Sequence, residues 1–424
     1  MMSAEDNISL TQTSRGTPMG ELLRRYWYPI AGITELDVEP TKVVRILGED
    51  LVLYRDRRGK LGLIGKHCPH RRISFEYGIP DERGLRCPYH GWLFDETGRC
   101  LEQPAEPAAS TYKDEVCTAA YPVRELGGLV FAYLGPSPVP EVPGWDLLVR
   151  DDLVKDIVVQ VIDCNWVQIM ENSVDPYHTE YLHALQTLYR QERMGRQIAK
   201  ADGETAMLRH TKIGFDRYER GIIKRRVLEG QTEEGDAWRI GHPVIFPNLL
   251  KVGSEGRYNM QFRVPMDDTH TFHVRLNAVV PRDGKTPTPR NAIPVREAEV
   301  FDDKTKRFKV QTNKDLAQDV MAWVTAGPIM DRSQEHLATS DKGVLLFRRM
   351  LREQMELVAT GGEPMNVFRD AAEAAFVPIE TEEDKYSAVV PESGERVKFG
   401  AFGIYKGHDY KETETAAAAR QPGE

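Results

Sequence analysis

Two short boxes of cysteine and histidine stand out because both residue types are scarce in this chain. The 424 residues include five cysteines and eleven histidines. Four of these residues form Cys68-Pro-His70 and Cys87-Pro-Tyr-His90, with sixteen residues between the boxes. Thiolate and imidazole together are typical ligands of zinc or of an iron–sulfur cluster. The two boxes therefore predict a metal site.

The order of the ligands within each box bears on which metal binds. Zinc fingers usually pair like ligands, two cysteines and then two histidines, whereas each box here offers one of each. In a Rieske [2Fe–2S] centre two histidines replace two thiolates on one iron, and two such loops suit that division. We expect a cluster, and a structural zinc site is the alternative. His67 lies beside Cys68 but outside the pattern, so we expect a solvated loop residue there.

A second set of candidate ligands lies further along the chain. Glu171, Asp175 and His178 are spaced i, i+4 and i+7, so we expect them to share one face of a helix. His183 follows His178 by five residues, which on a regular α-helix turns the two side chains about 140° apart. If both bind one metal, the helix must end or bulge between them, and Pro176 already strains it. Two histidines and a later carboxylate would form a facial triad for non-haem Fe(II). A surface helix with two unrelated histidines is the alternative.

Two different kinds of structure must position these motifs. Between residues 43 and 134, short β-branched and aromatic runs are separated by Gly and Asp, which predicts an all-β unit with hairpins. Residues 136–143 contain four prolines, which predicts a stiff connection between domains. Beyond it, strands mix with helices that are predicted around 313–326 and 341–360. The fold class is therefore α+β, a small all-β domain plus a larger catalytic domain with an antiparallel sheet flanked by helices.

We predict four units along the chain. An N-terminal helical arm covers 1–42 and includes a short helix across 20–32, where apolar residues recur at helical spacing. The metal-binding β domain covers 43–140, and the catalytic domain covers 141–405. A low-complexity tail covers 406–424.

Composition narrows the class of protein. The net charge of −9 argues against general nucleic-acid binding, which usually requires a strongly basic face. No run of 18 apolar residues occurs, so we expect no membrane-spanning helix, and the N-terminus lacks the order of a signal peptide. An odd, sparse set of cysteines argues against a disulfide framework. We expect a cytoplasmic protein.

Both motifs resemble those of one enzyme family. The boxes look like the C-x-H and C-x2-H pair of Rieske proteins, and the run from Asp175 through His178 to His183 looks like the D-x2-H-x4-H motif of Rieske non-haem iron aromatic-ring oxygenases. Residues 10–29 and 331–351 are similar to the phthalate dioxygenase-like branch. The chain thus resembles the oxygenase (alpha) component of that branch.

The resemblance implies a role for each candidate residue. The Rieske cluster would be held by Cys68, His70, Cys87 and His90. Mononuclear Fe(II) would be held by His178, His183 and a downstream carboxylate. By similarity of the stretch 316–337 to the downstream helix of the branch, that carboxylate is Asp319, with Asp315 and Asp331 as competitors.

The resemblance also implies partners. Family members assemble as homotrimers, or as stacked pairs of trimers in this branch, so that the cluster of one subunit approaches the iron of the next. Asp175 would bridge His178 to a cluster histidine, His90 of the partner subunit, since a buried carboxylate can orient imidazoles on both sides. Electrons from NADH would arrive through a separate reductase, with or without a ferredoxin, and O2 would be the co-substrate.

For the substrate we expect an aromatic acid. Dihydroxylation of a phthalate-like carboxylate is our first interpretation, and O-demethylation of a methoxylated aromatic acid is the alternative. A Rieske electron-transfer protein without catalysis is more distant, since it would lack the second motif. The basic run 215–226 could bind a carboxylate or form a solvated strand face. We do not expect His242, His270 or His273 to be catalytic.

Overall fold

The computed structural model describes residues 2–194, 209–254, 256–282, 284–311 and 314–383, together with two short strands near the C-terminus. The predicted low-complexity tail, 406–424, lies outside the described residues. Within the described part, no helix is both long enough and apolar enough to cross a membrane.

The first third of the chain is built from small antiparallel sheets and short helices. Its helices are α1 (Ala4–Thr11), α2 (Pro18–Leu23) and α3 (Glu35–Val38). Its strands are β1 (Trp27–Gly32), β2 (Thr41–Ile46), β3 (Glu49–Arg55), β4 (Leu61–Gly65), β5 (Ile79–Asp81), β6 (Gly84–Arg86), β7 (Leu93–Phe94), β8 (Cys100–Glu102), β9 (Ala120–Tyr121), β10 (Val123–Leu126) and β11 (Leu129–Tyr133). They form three sheets with the orders β1-β11-β10, β2-β3-β4-β9 and β5-β6-β7-β8.

The predicted helix across 20–32 is wrong beyond Leu23. Helix α2 begins with Pro18 at its first turn, and the Thr17 side chain accepts a hydrogen bond from Gly20 N, a favourable start. The chain then changes to strand β1, which pairs with β11. All six residues of β1 are buried, so the strand lacks the polar alternation that would reveal it, and Pro29 cannot lie in a helix interior without breaking it.

The larger part of the chain surrounds one eight-stranded sheet. Its helices are α4 (Asp146–Val149), α5 (Trp166–Ser173), α6 (Gln186–Arg193), α7 (Asp236–Arg239), α8 (Ala317–Thr325), α9 (Lys342–Ala359) and α10 (Ala371–Ala375). Its strands are β12 (Val154–Ile162), β13 (His210–Tyr218), β14 (Gly221–Leu228), β15 (His242–Ile245), β16 (Leu249–Ser254), β17 (Arg257–Pro265), β18 (Thr271–Val279), β19 (Val295–Glu297), β20 (Phe301–Asp302), β21 (Arg307–Phe308), β22 (Ser387–Val389) and β23 (Arg396–Lys398).

The main sheet has the order β13-β14-β15-β16-β17-β18-β12-β19. Its neighbouring strands are antiparallel, except that β19 pairs with β12 in parallel. The predicted α+β class is confirmed. The predicted helices near 313–326 and 341–360 correspond to α8 and α9, and α9 ends just before Gly361, whose φ of +83° suits a glycine after a helix.

One hydrophobic core joins the two parts of the chain. Buried residues of β1 and β11 belong to the same cluster as those of β17, β18 and α9, and Phe131 on β11 meets Phe262 on β17 edge to face at 5.9 Å. A smaller core lies in the region of β3 to β8 and includes both Cys68 and Cys87. The two candidate metal sites therefore rest on different cores.

Candidate metal centres

Two neighbouring loops hold the four residues of the boxes. Cys68 and His70 follow β4, while Cys87 and His90 lie between β6 and β7. Each loop is closed by the amide of its cysteine, since Cys68 N donates to Ile73 O at 2.9 Å and Cys87 N donates to Trp92 O at 2.8 Å. These backbone bonds close each loop between its cysteine and the residue five positions further on.

The cysteines of the two loops lie inside the domain, and the histidines lie closer to its surface. The thiols of Cys68 and Cys87 are buried, whereas His70 is exposed and His90 is half-buried. The two imidazole rings lie 4.5 Å apart, and the His70 ring stacks on Trp92 at 4.4 Å and 5°. Thiols inside and imidazoles outside correspond to the two differently ligated irons of a Rieske centre.

The donor set fits a two-iron cluster better than a single zinc ion. Burial raises the pKa of the Cys68 thiol to about 12, so thiolates here require a positive centre beside them. Nδ1 of His90 is buried and has no hydrogen-bond partner in the described part of the chain, which leaves it available as a ligand. A tetrahedral zinc ion would need all its ligand atoms close together. Among the described residues, no three ligand atoms of the two boxes lie within 4.8 Å of one another.

The second candidate site begins where α5 ends. The Asn165 side chain accepts from Val167 N at the start of α5, and the helix stops at Ser173. After the interruption at Pro176, a π-helix runs from Thr179 to Leu185. The irregularity that the five-residue histidine spacing requires is therefore present.

The π-helix is what brings the two histidines together. His178 immediately precedes it and His183 lies within it. Because the hydrogen bonds of a π-helix link residues five apart, side chains at i and i+5 come to one side. The ring centroids of His178 and His183 are 5.1 Å apart.

The predicted shared face of Glu171, Asp175 and His178 is wrong, because the helix does not continue through them. Glu171 is buried inside the fold, where Arg332 and Arg348 donate to its carboxylate at 2.9 and 2.6 Å. These ion pairs tie α5 to α9 and to the segment before it. Glu171 is therefore held inside the fold by its ion pairs with two arginines.

Helix α8 brings a carboxylate to the histidine pair. Oδ1 of Asp319 lies 3.2 Å from Nε2 of His183 and 3.8 Å from Nε2 of His178. The three ligand atoms all lie within 4.8 Å of one another. Burial would raise the pKa of Asp319, but His183, His178 and Arg263 together outweigh it, and this pKa lies below its ordinary value. An ionised carboxylate with two imidazoles is the donor set of a facial triad.

Both competing carboxylates lie elsewhere. Asp315 is buried in ion pairs, accepting from Arg275 at 2.9 Å and from Arg296 at 2.7 Å. It has a φ of +55°, a conformation that is unfavourable for a residue with a Cβ, so these pairs hold the turn before α8. Asp331 is exposed and accepts from Ser333. The structure therefore brings Asp319, rather than either competitor, to the two histidines.

Gln318 orients His183 and was missed in the sequence. Its Nε2 donates to Thr187 Oγ1 at 2.9 Å and to Val310 O at 3.1 Å, which leaves Oε1 to accept from His183 Nδ1 at 3.0 Å. This contact suits a proton on Nδ1 of His183, which would leave Nε2, 3.2 Å from Asp319 Oδ1, as the nitrogen for a metal. In the sequence, only the position of Gln318 next to Asp319 could have indicated that it orients His183.

Asp175 contacts His178 but is not one of the three clustered candidate ligands His178, His183 and Asp319. It accepts from Tyr177 N at 2.8 Å and from His178 N at 3.3 Å, and its Oδ2 lies 3.5 Å from His178 Nδ1. Burial would raise the pKa of Asp175, but the contact with His178, the hydrogen bond from Tyr177 N and the charge of Lys224 together outweigh it, and the pKa is lowered. The other half of the expected bridge, to His90 of the partner subunit, stays a prediction.

A cavity of about 300 Å³ opens beside the three ligand atoms. Strand alternation decides which side chains face it. From the basic run 215–226, Lys224 and Arg226 line the cavity, while Arg225 between them binds Asp216 at 2.5 Å. From β17, the cavity is lined by Asn259, Gln261 and Arg263. The result is a small-molecule site with a basic side, although Glu180 and Glu382 also line it and Glu382 lies 3.9 Å from Arg226.

The remaining histidines have separate surroundings. Nε2 of His242, in the cavity wall, lies 2.7 Å from Lys251 O. His270 contacts Asp267, and His273 is buried with Nδ1 3.5 Å from the Gln160 amide. Sequence reasoning missed His210, which also lines the cavity and has no motif around it to reveal its position.

Family models match both parts of the chain. The model described as Rieske [2Fe-2S] domain matches residues 26–113. The model described as ring hydroxylating alpha subunit (catalytic domain) matches residues 146–357, and one described as LigXa C-terminal domain like matches 314–418.

Similar proteins extend over most of the chain. The 5,5'-dehydrodivanillate O-demethylase oxygenase subunit of Sphingobium sp. is 41% identical over 90% of this chain and 87% of its own length. The phthalate 4,5-dioxygenase oxygenase subunit of Pseudomonas putida is 31% identical over 85% of this chain and 88% of its own. A solved structure of the Pseudomonas putida CBB5 NdmA QL mutant with theobromine has a TM-score of 0.57 at 20% identity, covering 81% of this chain and 94% of the other. That likeness is one of fold.

Proposed function

The chain belongs to the family of ring-hydroxylating oxygenase alpha subunits, and from this premise we propose that it O-demethylates a methoxylated aromatic acid. It is the terminal oxygenase of a Rieske system. The proposal rests on one observation above all. The three-residue set of His178, His183 and Asp319 opens onto a cavity with a basic side, in a chain 41% identical to an O-demethylase subunit.

The second candidate is dihydroxylation of an aromatic carboxylate, which the sequence alone favoured. It is supported by the relative that acts on phthalate, which is 31% identical. The O-demethylase relative is more similar, so we now rank O-demethylation first. Both reactions use the same ligand set, and they differ in how the substrate is held.

The residues of the chain supply two sites for bound groups. We propose that Cys68, His70, Cys87 and His90 hold the cluster, and that His178, His183 and Asp319 hold mononuclear iron. When bound, these groups supply single-electron transfer and dioxygen activation. The protein orients His183 through Gln318 and keeps Asp319 buried and ionised.

The basic side of the cavity supports an acidic substrate. Arg226 and Lys224 present N–H donors along one strand, and a guanidinium can bind a carboxylate through two hydrogen bonds. Arg263 is fully buried in the same wall, and burial lowers its pKa to about 9. We propose that the carboxylate binds at Arg226, because its alternation with Arg225 places it inside the cavity.

The exposed imidazole side of the cluster loops supports an external electron donor. We propose an NADH-dependent reductase, with or without a ferredoxin, as that partner. We also propose a homotrimer, or a stacked pair of trimers, in which Asp175 of one subunit meets His90 of the partner subunit. The contact of Asp175 with His178 supports the first half of this path.

Product analysis tests the proposal. The holoenzyme would be given NADH, a surrogate reductase and a panel of methoxylated aromatic acids and phthalates, with products identified by mass spectrometry. O-demethylation converts a methoxyl group, O2, two electrons and two protons into a phenol, formaldehyde and water, so formaldehyde should equal the substrate consumed. A product that keeps its methyl group and gains both oxygen atoms would establish dihydroxylation instead.

A further inference from the structure

The two cluster loops contain the same backbone turn. In the first loop, Arg72 N donates to Cys68 O at 2.9 Å. In the second loop, Gly91 N donates to Cys87 O at 3.0 Å. Both residues lie four positions after the cysteine, and both have a positive φ, +63° at Arg72 and +76° at Gly91. Each turn therefore depends on one residue in the left-handed region.

The side chain that precedes each cysteine holds this left-handed residue in place. Nδ1 of His67 lies 2.9 Å from Arg72 O. Because a carbonyl oxygen only accepts hydrogen bonds, Nδ1 of His67 carries the proton of this contact. In the second loop, Nη1 of Arg86 donates to Gly91 O at 2.7 Å. The two loops thus close in the same way, with a different donor in each.

The two loops differ in how favourable the closed turn is. Glycine adopts a positive φ freely, whereas Arg72 has a Cβ and is strained in this conformation. The donors also differ, because Arg86 is itself fixed by Asp81 and Glu102, each at 2.8 Å. A hydrogen bond from a guanidinium is also stronger than one between neutral groups. The loop of Cys68 therefore has the more strained turn and the less firmly held donor.

We propose that His67 is a positioning residue for the cluster, and that opening of the Cys68 loop limits how long the cluster is retained. This loop carries one thiol and one imidazole of the proposed ligand set, so relaxation of the turn at Arg72 displaces both ligands together. His67 opposes that relaxation by holding Arg72 O. The inference rests on the proposed function, which requires the cluster, and it names a residue that acts on the ligands without being one.

Cluster loss from the oxidised holoenzyme measures how firmly the loop is held. The visible absorbance would be followed after addition of EDTA, without substrate or reductase. His67→Phe keeps a ring but removes the donor, and should release the cluster about fivefold faster, as expected for one hydrogen bond. His67→Asn offers an amide N–H in place of Nδ1 and should restore most of the wild-type rate. His336→Phe, at an exposed position between α8 and α9, is the control and should not change the rate.

Arg72→Gly tests whether His67 acts through the strained turn. Glycine removes the steric cost of the positive φ, so this variant should lose its cluster about fivefold more slowly than the wild type. In the same background, His67→Phe should change the rate by about twofold at most, because the turn no longer depends on the contact. The same fivefold effect of His67→Phe in both backgrounds would overturn the inference.

Amide hydrogen exchange reports on the loop itself. In His67→Phe, exchange should become faster in residues 68–73 and stay unchanged in residues 87–92, where Arg86 holds the turn. Unchanged exchange in residues 68–73, or a wild-type rate of cluster loss in His67→Phe, would each overturn the inference. A wild-type protein without acid-labile sulfide would instead refute the cluster that the proposed function requires, and the exchange measurement would still test the contact of His67.

Discussion

The two candidate metal sites are built in opposite ways. The cluster loops take their four candidate ligands from 23 consecutive residues, from Cys68 to His90, and leave the imidazoles near the surface. The second site joins the π-helix to Asp319, more than a hundred residues downstream, and buries two of its three side chains. A group that exchanges electrons with a partner needs an exposed edge, whereas a site that handles dioxygen benefits from exclusion of water.

The contrast also concerns how each site is held. Local backbone bonds around Cys68 and Cys87 shape the cluster loops. The second site depends on contacts between distant elements, such as the bonds of Gln318. Local sites can be recognised in a sequence, while distant contacts require the fold. The following changes would break or sharpen this comparison.

The largest effect is expected from Cys87→Ser. Cys87 is one of the two proposed thiolate ligands, and its thiol lies in the buried core below the loops. Its loss should therefore abolish cluster binding and reduce turnover to background. Acid-labile sulfide and visible absorbance would measure the cluster, and the mononuclear iron should remain. Cys117→Ser, at an exposed position, is the control. Retention of sulfide in Cys87→Ser would contradict the assignment.

Asp319→Ala should have the converse effect. Iron content should fall by about one atom per chain while sulfide stays unchanged, because only the mononuclear site loses a ligand. Turnover should be lost as well, and metal analysis with sulfide determination would check this.

Asp315→Ala is the matched control for that variant. It should keep the iron but lower the free energy of unfolding by about 3 kcal/mol, because Arg275 loses its buried partner. If Asp315→Ala lost iron and Asp319→Ala kept it, the third ligand would be wrongly assigned.

Asp175→Asn should leave both metals bound and lower turnover about 100-fold, within the usual range for groups that orient metal ligands. Single-turnover measurements with a pre-reduced cluster would show whether electron transfer is the slowed step. Asp331→Asn, at the surface, should behave like the wild type. Normal turnover in Asp175→Asn would argue against the predicted bridge between subunits.

The smallest effect is expected from Gln318→Leu. Without the acceptor for its Nδ1 proton, His183 should bind iron less tightly, by about tenfold. Competition with an iron chelator would measure the change, and the cluster should be unaffected. Gln318→Glu keeps an oxygen acceptor and should retain iron. Equal iron affinity in Gln318→Leu would mean that packing alone orients His183.

Local pattern made part of the second site predictable. The five-residue spacing of His178 and His183 required an irregular helix, and the structure has a π-helix there. The same pattern misled where the fold intervened. Glu171 shares the helical spacing but is buried against two arginines. The strand β1 was mistaken for helix because burial on both faces removes the alternation of polar residues.

The sequence by itself determined the α+β class, because the pattern of apolar and turn residues is a property of the sequence. It also determined the two cysteine–histidine boxes, because each box spans no more than four residues. It gave the five-residue spacing of His178 and His183, while the π-helix turned both side chains to one side. Only the tertiary structure shows which of Asp315, Asp319 and Asp331 lies beside the two histidines. Asp315 and Asp319 are four residues apart, but Asp315 lies in the left-handed turn before α8 and is bound to arginines, whereas Asp319 lies in α8 and faces the histidines. The contacts of Gln318 with His183 and of His210 with Glu180 were likewise decided by packing, since no local pattern fixes which distant side chains meet.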